Sequence, residues 1–205
     1  ILTLVICLGL LAVFKYTGFF LSNVQALLGV PEVIPAITLP IGISFYTFQL
    51  ISYVIDVYRG EVLPEKKLTL FLTYLSLFPQ LVAGPIVRYS EIDSALKTRS
   101  FSVSQFASGA YLFAVGLCKK LVIADTLAPL SAAFLENSPT LLSAWLSAIA
   151  FTLQIYFDFS GYSDMAIGMG SMCGIHYCEN FNYPYIAVSV TDFWRRWHIS
   201  LSSFF

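Results

Sequence analysis

Charge is what this sequence has least of. Asp, Glu, Lys and Arg make up 11% of its 205 residues, where a soluble domain carries about 25%. The net charge is −1 and no polybasic block occurs, so no nucleic-acid partner is expected. Cysteine is sparse as well, with four residues. Cys7 and Cys118 lie in apolar runs and read as core. Cys173, His176 and Cys178 offer three ligands at spacings unlike zinc patterns, with no fourth nearby, so no metal site is expected. No initiator Met opens the chain, and Phe204 and Phe205 close it inside an apolar helical pattern without a stop signal, so truncation at both ends is expected. Residues 1 to 14 lack the basic start and small-residue cleavage site of a signal peptide, which leaves a membrane span.

What is present is apolar: 58% hydrophobic residues and a mean hydropathy of +0.77. The apolar residues come in runs near the roughly 20 needed to cross a hydrocarbon core as a helix, unlike the alternating pattern of a barrel strand. The expected fold is all-α: a polytopic transmembrane helical bundle with broken or re-entrant helices, forming a single membrane-embedded domain over residues 1 to 205.

The first expected span is Ile1 to Leu21, interrupted by Lys15 and Thr17 and followed by a loop with Gly29, Pro31, Glu32 and Pro35. A second apolar stretch opens at Pro40 and Gly42 and ends at Asp56, Arg59 and Gly60. Residues 68 to 87 are long enough to span, but Pro79, Gly84 and Pro85 break the second half. A full crossing would put the basic groups at 59 to 67 and 88 to 99 on opposite faces, against the positive-inside bias. A re-entrant segment keeps them together, and a Pro-kinked span is the alternative. Phe101 to Ala124 follows, with Lys119 and Lys120 expected to snorkel and Asp125 and Pro129 to punctuate it. Leu141 to Phe157 is the next span.

That span runs into Gln154-Ile-Tyr-Phe-Asp158-Phe-Ser-Gly-Tyr-Ser-Asp164. An ionisable side chain at the bilayer centre costs about 3 kcal/mol, so a carboxylate kept at depth faces a cavity or a partner, and Asp158 is a functional candidate. Ser160 and Gly161 are expected to break the helix, leaving Asp164 near the start of the next one, where it suits the macrodipole. Gly170 and Gly174 form a small-residue face for close helix approach. The polar, aromatic loop Asn180 to Tyr185 contributes Asn182. Ser189-Val-Thr-Asp192 then reads as a helix start, opening a helix through 202. Arg195 and Arg196, early in that helix, need anions: Asp192 can pair with one, and the other is free for a lipid phosphate or anionic substrate. Trp194, His198 and Ser202 share a face at i, i+4 and i+8. On spacing alone His198 is either a hydrogen-bonded structural residue or a functional one.

At these residues a resemblance appears. QIYFDFSGYSDMAIG at 154 to 168, ENFNYPY at 179 to 185 and FWRRWHISLS at 193 to 202 resemble the membrane-bound O-acyltransferases. ISFYTFQLISYVIDVYRG at 43 to 60 and FPQLVAGPIVRY at 78 to 89 resemble the alginate O-acetyltransferase branch, in the same order. The resemblance implies acyl transfer within a bacterial plasma membrane by a multi-pass integral protein. The donor is acetyl-CoA or another acyl thioester, no bound cofactor is needed, and acetyl passes toward an extracytoplasmic polysaccharide such as alginate with extracytoplasmic partner proteins. D-alanyl transfer to envelope polymers shares much of the motif order. The histidine of the WRRWH motif falls on His198, and a second family histidine, the candidate base, lies beyond Phe205. In that picture His198 orients donor or acceptor, Arg195 or Arg196 holds the donor's phosphates, and Asp158 fixes a nearby Tyr or Arg. Asp158, Trp194 and Asn182 then contribute to substrate binding. Two other classes fit the composition: a multi-span transporter with Asp158 and Asp164 on its pathway, and an assembly subunit that binds partners through Gly170 and Gly174.

Overall fold

The computed structural model describes residues 2–30, 37–40, 42–80, 84–136 and 140–204; part of the expected loop after the first span, residues 31–36, lies outside them. Every regular element among the described residues is helical. The chain divides into two compact units, residues 1–82 with 88–90, and residues 83–87 with 91–205.

In the first unit α1, Leu2–Leu28, is long and apolar enough to cross a membrane. It passes through a π-helical turn at Ala12–Tyr16 and ends at Gly29, whose φ of +65° closes the helix. It packs on α2, Ile43–Arg59. Lys15 reaches across to donate to Ser44 Oγ at 3.3 Å. After Gly60, α3 covers Leu68–Ser76. The Tyr89 hydroxyl donates to Glu65 Oε2 at 2.8 Å, and the Glu65 N–H donates to the Tyr53 hydroxyl at 2.8 Å.

Helix α3 has nine residues, about 13 Å of rise against a hydrocarbon core of about 30 Å. A single 3₁₀ turn, Phe78–Gln80, follows it, and residues 81–83 lie outside the described set. Among the described residues, the helix that opens at Leu68 therefore ends at Ser76 and does not continue through Pro79. The charge pattern predicts that residues 62 and 94 face the same side of the membrane. Val62→Cys and Ser94→Cys, in a background without Cys7, Cys118, Cys173 and Cys178, should both react with an impermeant maleimide from one face. Labelling from opposite faces overturns the re-entrant reading.

In the second unit α4 is Tyr89–Lys97, whose residues from Glu91 onward belong here. Two long helices dominate: α5, Val103–Glu136, and α6, Leu141–Met172, each apolar enough to cross a membrane. Their seam is built from glycine. A Cβ on Gly116 would stand 2.5 Å from the Gly161 carbonyl oxygen, and one on Gly161 would stand 2.7 Å from that of Gly116. Gly109 and Gly168 repeat the arrangement at 2.6 Å in both directions. The backbones touch because no side chain separates them.

Several expectations are corrected here. Ser160 and Gly161 do not break α6, which runs through them; Gly161 is spent on contact with Gly116. Asp164 consequently lies deep in the helix and caps nothing. Gly170 and Gly174 form no helix-packing face: Gly170 lies against the Tyr177 ring, and Gly174, at φ +77°, turns the chain beside the Ser100 carbonyl. Asp125 and Pro129 do not end α5, which continues to Glu136 beyond a π-helical turn at Lys119–Ala124. The helix expected through 202 is two: α7, Val190–Arg196, and α8, Ile199–Phe204.

Candidate functional site

The polar residues of α5 and α6 meet where the π turn widens α5. Lys119 Nζ lies 2.6 Å from Asp164 Oδ2, and Lys120 Nζ lies 2.5 Å from Asp158 Oδ1 and 3.6 Å from Asp125 Oδ1. The lysines pair with carboxylates that lipid would penalise. Asp158 finds its partner in an ammonium group, where the resemblance suggested a Tyr or Arg, and its side chain stays 42% exposed.

The chain after α6 folds back onto it through rings. Tyr185 donates its hydroxyl to the Thr152 carbonyl at 2.8 Å. The Phe181 ring stands edge-on to Phe159 at 5.0 Å and to Trp197 at 5.0 Å, and Trp197 stacks on Phe193 at 5.6 Å. This cluster sets α7 and the loop before it against the middle of α6. Ser189 caps α7 by accepting from the Asp192 N–H. Arg195 and Arg196 fall in the last turn of α7, where cations suit the macrodipole, and not early in a long helix as the sequence suggested. Arg196 is committed: its Nε donates to Asp192 Oδ1 at 2.9 Å, and this bond holds the Asp192 carboxyl below its usual range. The main chains of Arg196 and Asn182 also pair, Asn182 N–H to Arg196 carbonyl at 2.9 Å. The Asn182 side chain is exposed, as are Arg195 and Trp194.

His198 sits in the break between α7 and α8 with φ of +46°. A non-glycine residue held left-handed costs about 1–2 kcal/mol, and three bonds hold it there. Its carbonyl accepts from the Leu201 and Ser202 N–H groups at 3.0 and 3.2 Å, and the next N–H, of Ile199, donates to the Asn180 carbonyl at 2.9 Å. The break takes Trp194, His198 and Ser202 off a common helix face; Ser202 instead donates its hydroxyl to the Trp194 carbonyl at 3.1 Å.

Asn180 Oδ1 decides the state of the imidazole. It accepts from the Ser200 N–H at 3.1 Å and the Ser200 hydroxyl at 2.9 Å, and His198 Nδ1 lies 3.1 Å away. A backbone N–H can only donate, so the amide oxygen must face Ser200, and Nδ1 beside the same oxygen must carry its proton. Nε2 is left with the lone pair. Burial against the Phe159 ring, 4.8 Å away, lowers the pKa of the imidazole and keeps it neutral near pH 7. A cavity of about 240 Å³ adjoins this group, walled by Lys119, Tyr156, Ser160, Asp164, Asn180 and Phe181. Asn180 is the link between that cavity and His198, which is not itself in the wall.

The structure thus gathers His198, Asp158 and the 180-to-182 loop around α6, and leaves Arg195 and Trp194 on an open face. Asn180, Lys119 and Lys120 went unnoticed as site residues because their partners lie 18 to 45 positions away, and Ser160 because it reads as a helix break. Among the described residues no group of three or more potential ligands could hold a metal ion.

A membrane-embedded helical protein with a tautomer-fixed histidine beside a polar cavity is the class that these features define. The chain belongs to the MBOAT, membrane-bound O-acyltransferase, family, whose model matches residues 66–205. With three helices among the described residues long and apolar enough to cross a membrane, it is an integral membrane protein. It is 48% identical to the probable alginate O-acetylase AlgI of Azotobacter vinelandii, over 98% of this chain and 42% of that protein. It is 38% identical to a peptidoglycan O-acetyltransferase of Helicobacter pylori, over 100% of this chain and 44% of the relative. A teichoic acid D-alanyltransferase of Bacillus subtilis is 29% identical over 80% of the chain and 43% of its own length. The chain spans less than half the length of each of these relatives.

Proposed function

We propose that the protein containing this chain is an O-acyltransferase of the bacterial plasma membrane. It moves acetyl, or another short acyl group, from a thioester such as acetyl-CoA to a hydroxyl of an extracytoplasmic polysaccharide such as alginate, working with extracytoplasmic partner proteins. The observation that carries this reading is His198, whose Nδ1 proton is spoken for by Asn180 and whose Nε2 is therefore an acceptor. In the reaction the acceptor hydroxyl oxygen attacks the thioester carbonyl carbon while its proton passes to a base. The C–S bond then breaks and the thiol leaves with a proton. His198 aligns the incoming hydroxyl through Nε2, beside a base supplied by a second histidine beyond residue 205. Arg195, whose neighbour Arg196 is tied to Asp192, meets the donor's phosphates. Asp158, Trp194 and Asn182 shape the approach to the site.

Membranes holding the full-length protein should release CoA from acetyl-CoA and transfer labelled acetyl to an oligosaccharide acceptor, above membranes lacking the protein. Transfer of D-alanyl from its thioester without acetyl transfer would move the assignment to the teichoic acid branch. Absence of any transfer would overturn the enzyme reading.

A further inference from the structure

Among the described residues, two polar side chains in the cavity wall have no hydrogen-bond partner. Ser160 Oγ and Asn180 Nδ2 are both buried without a hydrogen bond, in residues only 1% exposed. A buried donor left unmade carries its full desolvation cost, and both residues are among those that line the same cavity of about 240 Å³. The Asn180 amide cannot turn round, because its oxygen already serves the Ser200 N–H and hydroxyl and His198 Nδ1. Its NH₂ can only donate, so what it lacks is a lone pair that the described residues do not supply.

We propose that this cavity is the subsite for the acyl group, with Asn180 Nδ2 and Ser160 Oγ donating to its carbonyl oxygen; the proposal rests on the acyltransferase reading above. A carbonyl oxygen brings two lone pairs and no proton, which answers two donors that have no acceptor. The part of the wall formed by Leu112, Val115 and Ile167 is apolar and suits a short alkyl end. The cavity of about 240 Å³ has room for a short acyl group. As charge builds on the oxygen during attack, both donors strengthen their hold on it, which is the direction that accelerates transfer. Asn180 then has two roles through one planar amide: its oxygen orients His198 and its nitrogen orients the acyl carbonyl.

The test compares two probes on the detergent-solubilised full-length protein. One is the ketone analogue of acetyl-CoA, with a methylene in place of the thioester sulfur; the other is S-ethyl-CoA, which lacks the carbonyl. Wild type should bind the ketone about tenfold more tightly. Ser160→Ala should lose that preference and transfer acetyl at least about tenfold more slowly, with a melting temperature equal to wild type or higher, since an unpartnered buried hydroxyl has been removed. Asn180→Asp, which keeps an oxygen for His198 and Ser200 but loses the NH₂, should also lose the preference. Retention of the carbonyl preference in both variants overturns the proposal, as does a wild type that binds both probes equally. A Ser160→Ala protein that melts lower overturns it too, because the hydroxyl would then be bonded within the protein. A wild type that prefers the ketone but transfers no acyl group leaves the subsite standing and sinks the enzyme reading.

Discussion

Gly161→Val is expected to remove most stably inserted protein, and Gly116→Val to do the same. A Cβ alone at either position would stand 2.5 to 2.7 Å from the facing carbonyl oxygen, and backbone on both sides has nowhere to move. The helices must separate, and separation carries Lys119 away from Asp164 and Lys120 away from Asp158. Carboxylates and ammonium groups would then sit unpaired in an apolar setting, at several kcal/mol in all. Overpacking by itself costs about 1–3 kcal/mol, so the combined loss exceeds what most membrane proteins can absorb. Yield in detergent and resistance to proteolysis measure it. Gly9→Val, whose Cβ would meet nothing within 4 Å, is the matched control and should leave both unchanged. A Gly161→Val protein as abundant and protease-resistant as wild type would show that the two helices do not touch at this seam.

His198→Ala in the full-length protein is expected to lower acyl transfer by about 10² or more, the range for a group engaged in acid–base chemistry or its positioning. The position complicates the reading, because its φ of +46° strains any residue with a Cβ. Asn tolerates the left-handed region better than Ala, so His198→Asn should fold at least as well and still lose transfer. A structural histidine would behave otherwise: activity would track the amount of folded protein, and the Asn variant would recover both together. Transfer assays and melting temperatures taken on the same preparations separate the two. If either variant keeps near-full activity in a normally folded protein, the assignment of His198 to the site is wrong.

Helices, their apolar character and the five ordered motifs could be read from the residues alone. What could not be read was where helices continue. Ser160-Gly161 looks like a break because glycine has low helix propensity in water, yet the same absence of a side chain is what the neighbouring helix uses. The Gly170/Gly174 pair drew attention through its four-residue spacing, while the seam that forms uses glycines seven apart, at 109 and 116 and at 161 and 168. Seven-residue spacing was visible and was the better signal, since it keeps one face toward a partner helix. His198 and Asp158 were legible as polar groups in apolar surroundings. Asn180 was not, because its role depends on Ser200 and His198 folding back to it after a left-handed turn. Nothing local to Trp197-His198 announces that turn.

The π turn at Lys119–Ala124 acts on α5 as a slip of phase. Before it the buried positions are Gly109 and Gly116; the next are Ala124, its last residue, and Ser131, whose carbonyl accepts from the Ser147 hydroxyl at 2.7 Å. The intervals run seven, eight, seven, so a single surplus residue is lodged in the middle of an otherwise regular count. Opposite it α6 has no such slip, with Gly161 and Gly168 buried seven apart and Ser147 fourteen before Gly161. Removing one residue from 119–124 would restore the rhythm of α5 and thereby ruin its fit, turning either the glycine half or the serine half about 100° off its partner. Lengths of chain here are therefore not interchangeable, and an alignment that closes this surplus as a gap would misplace every contact on one side of it.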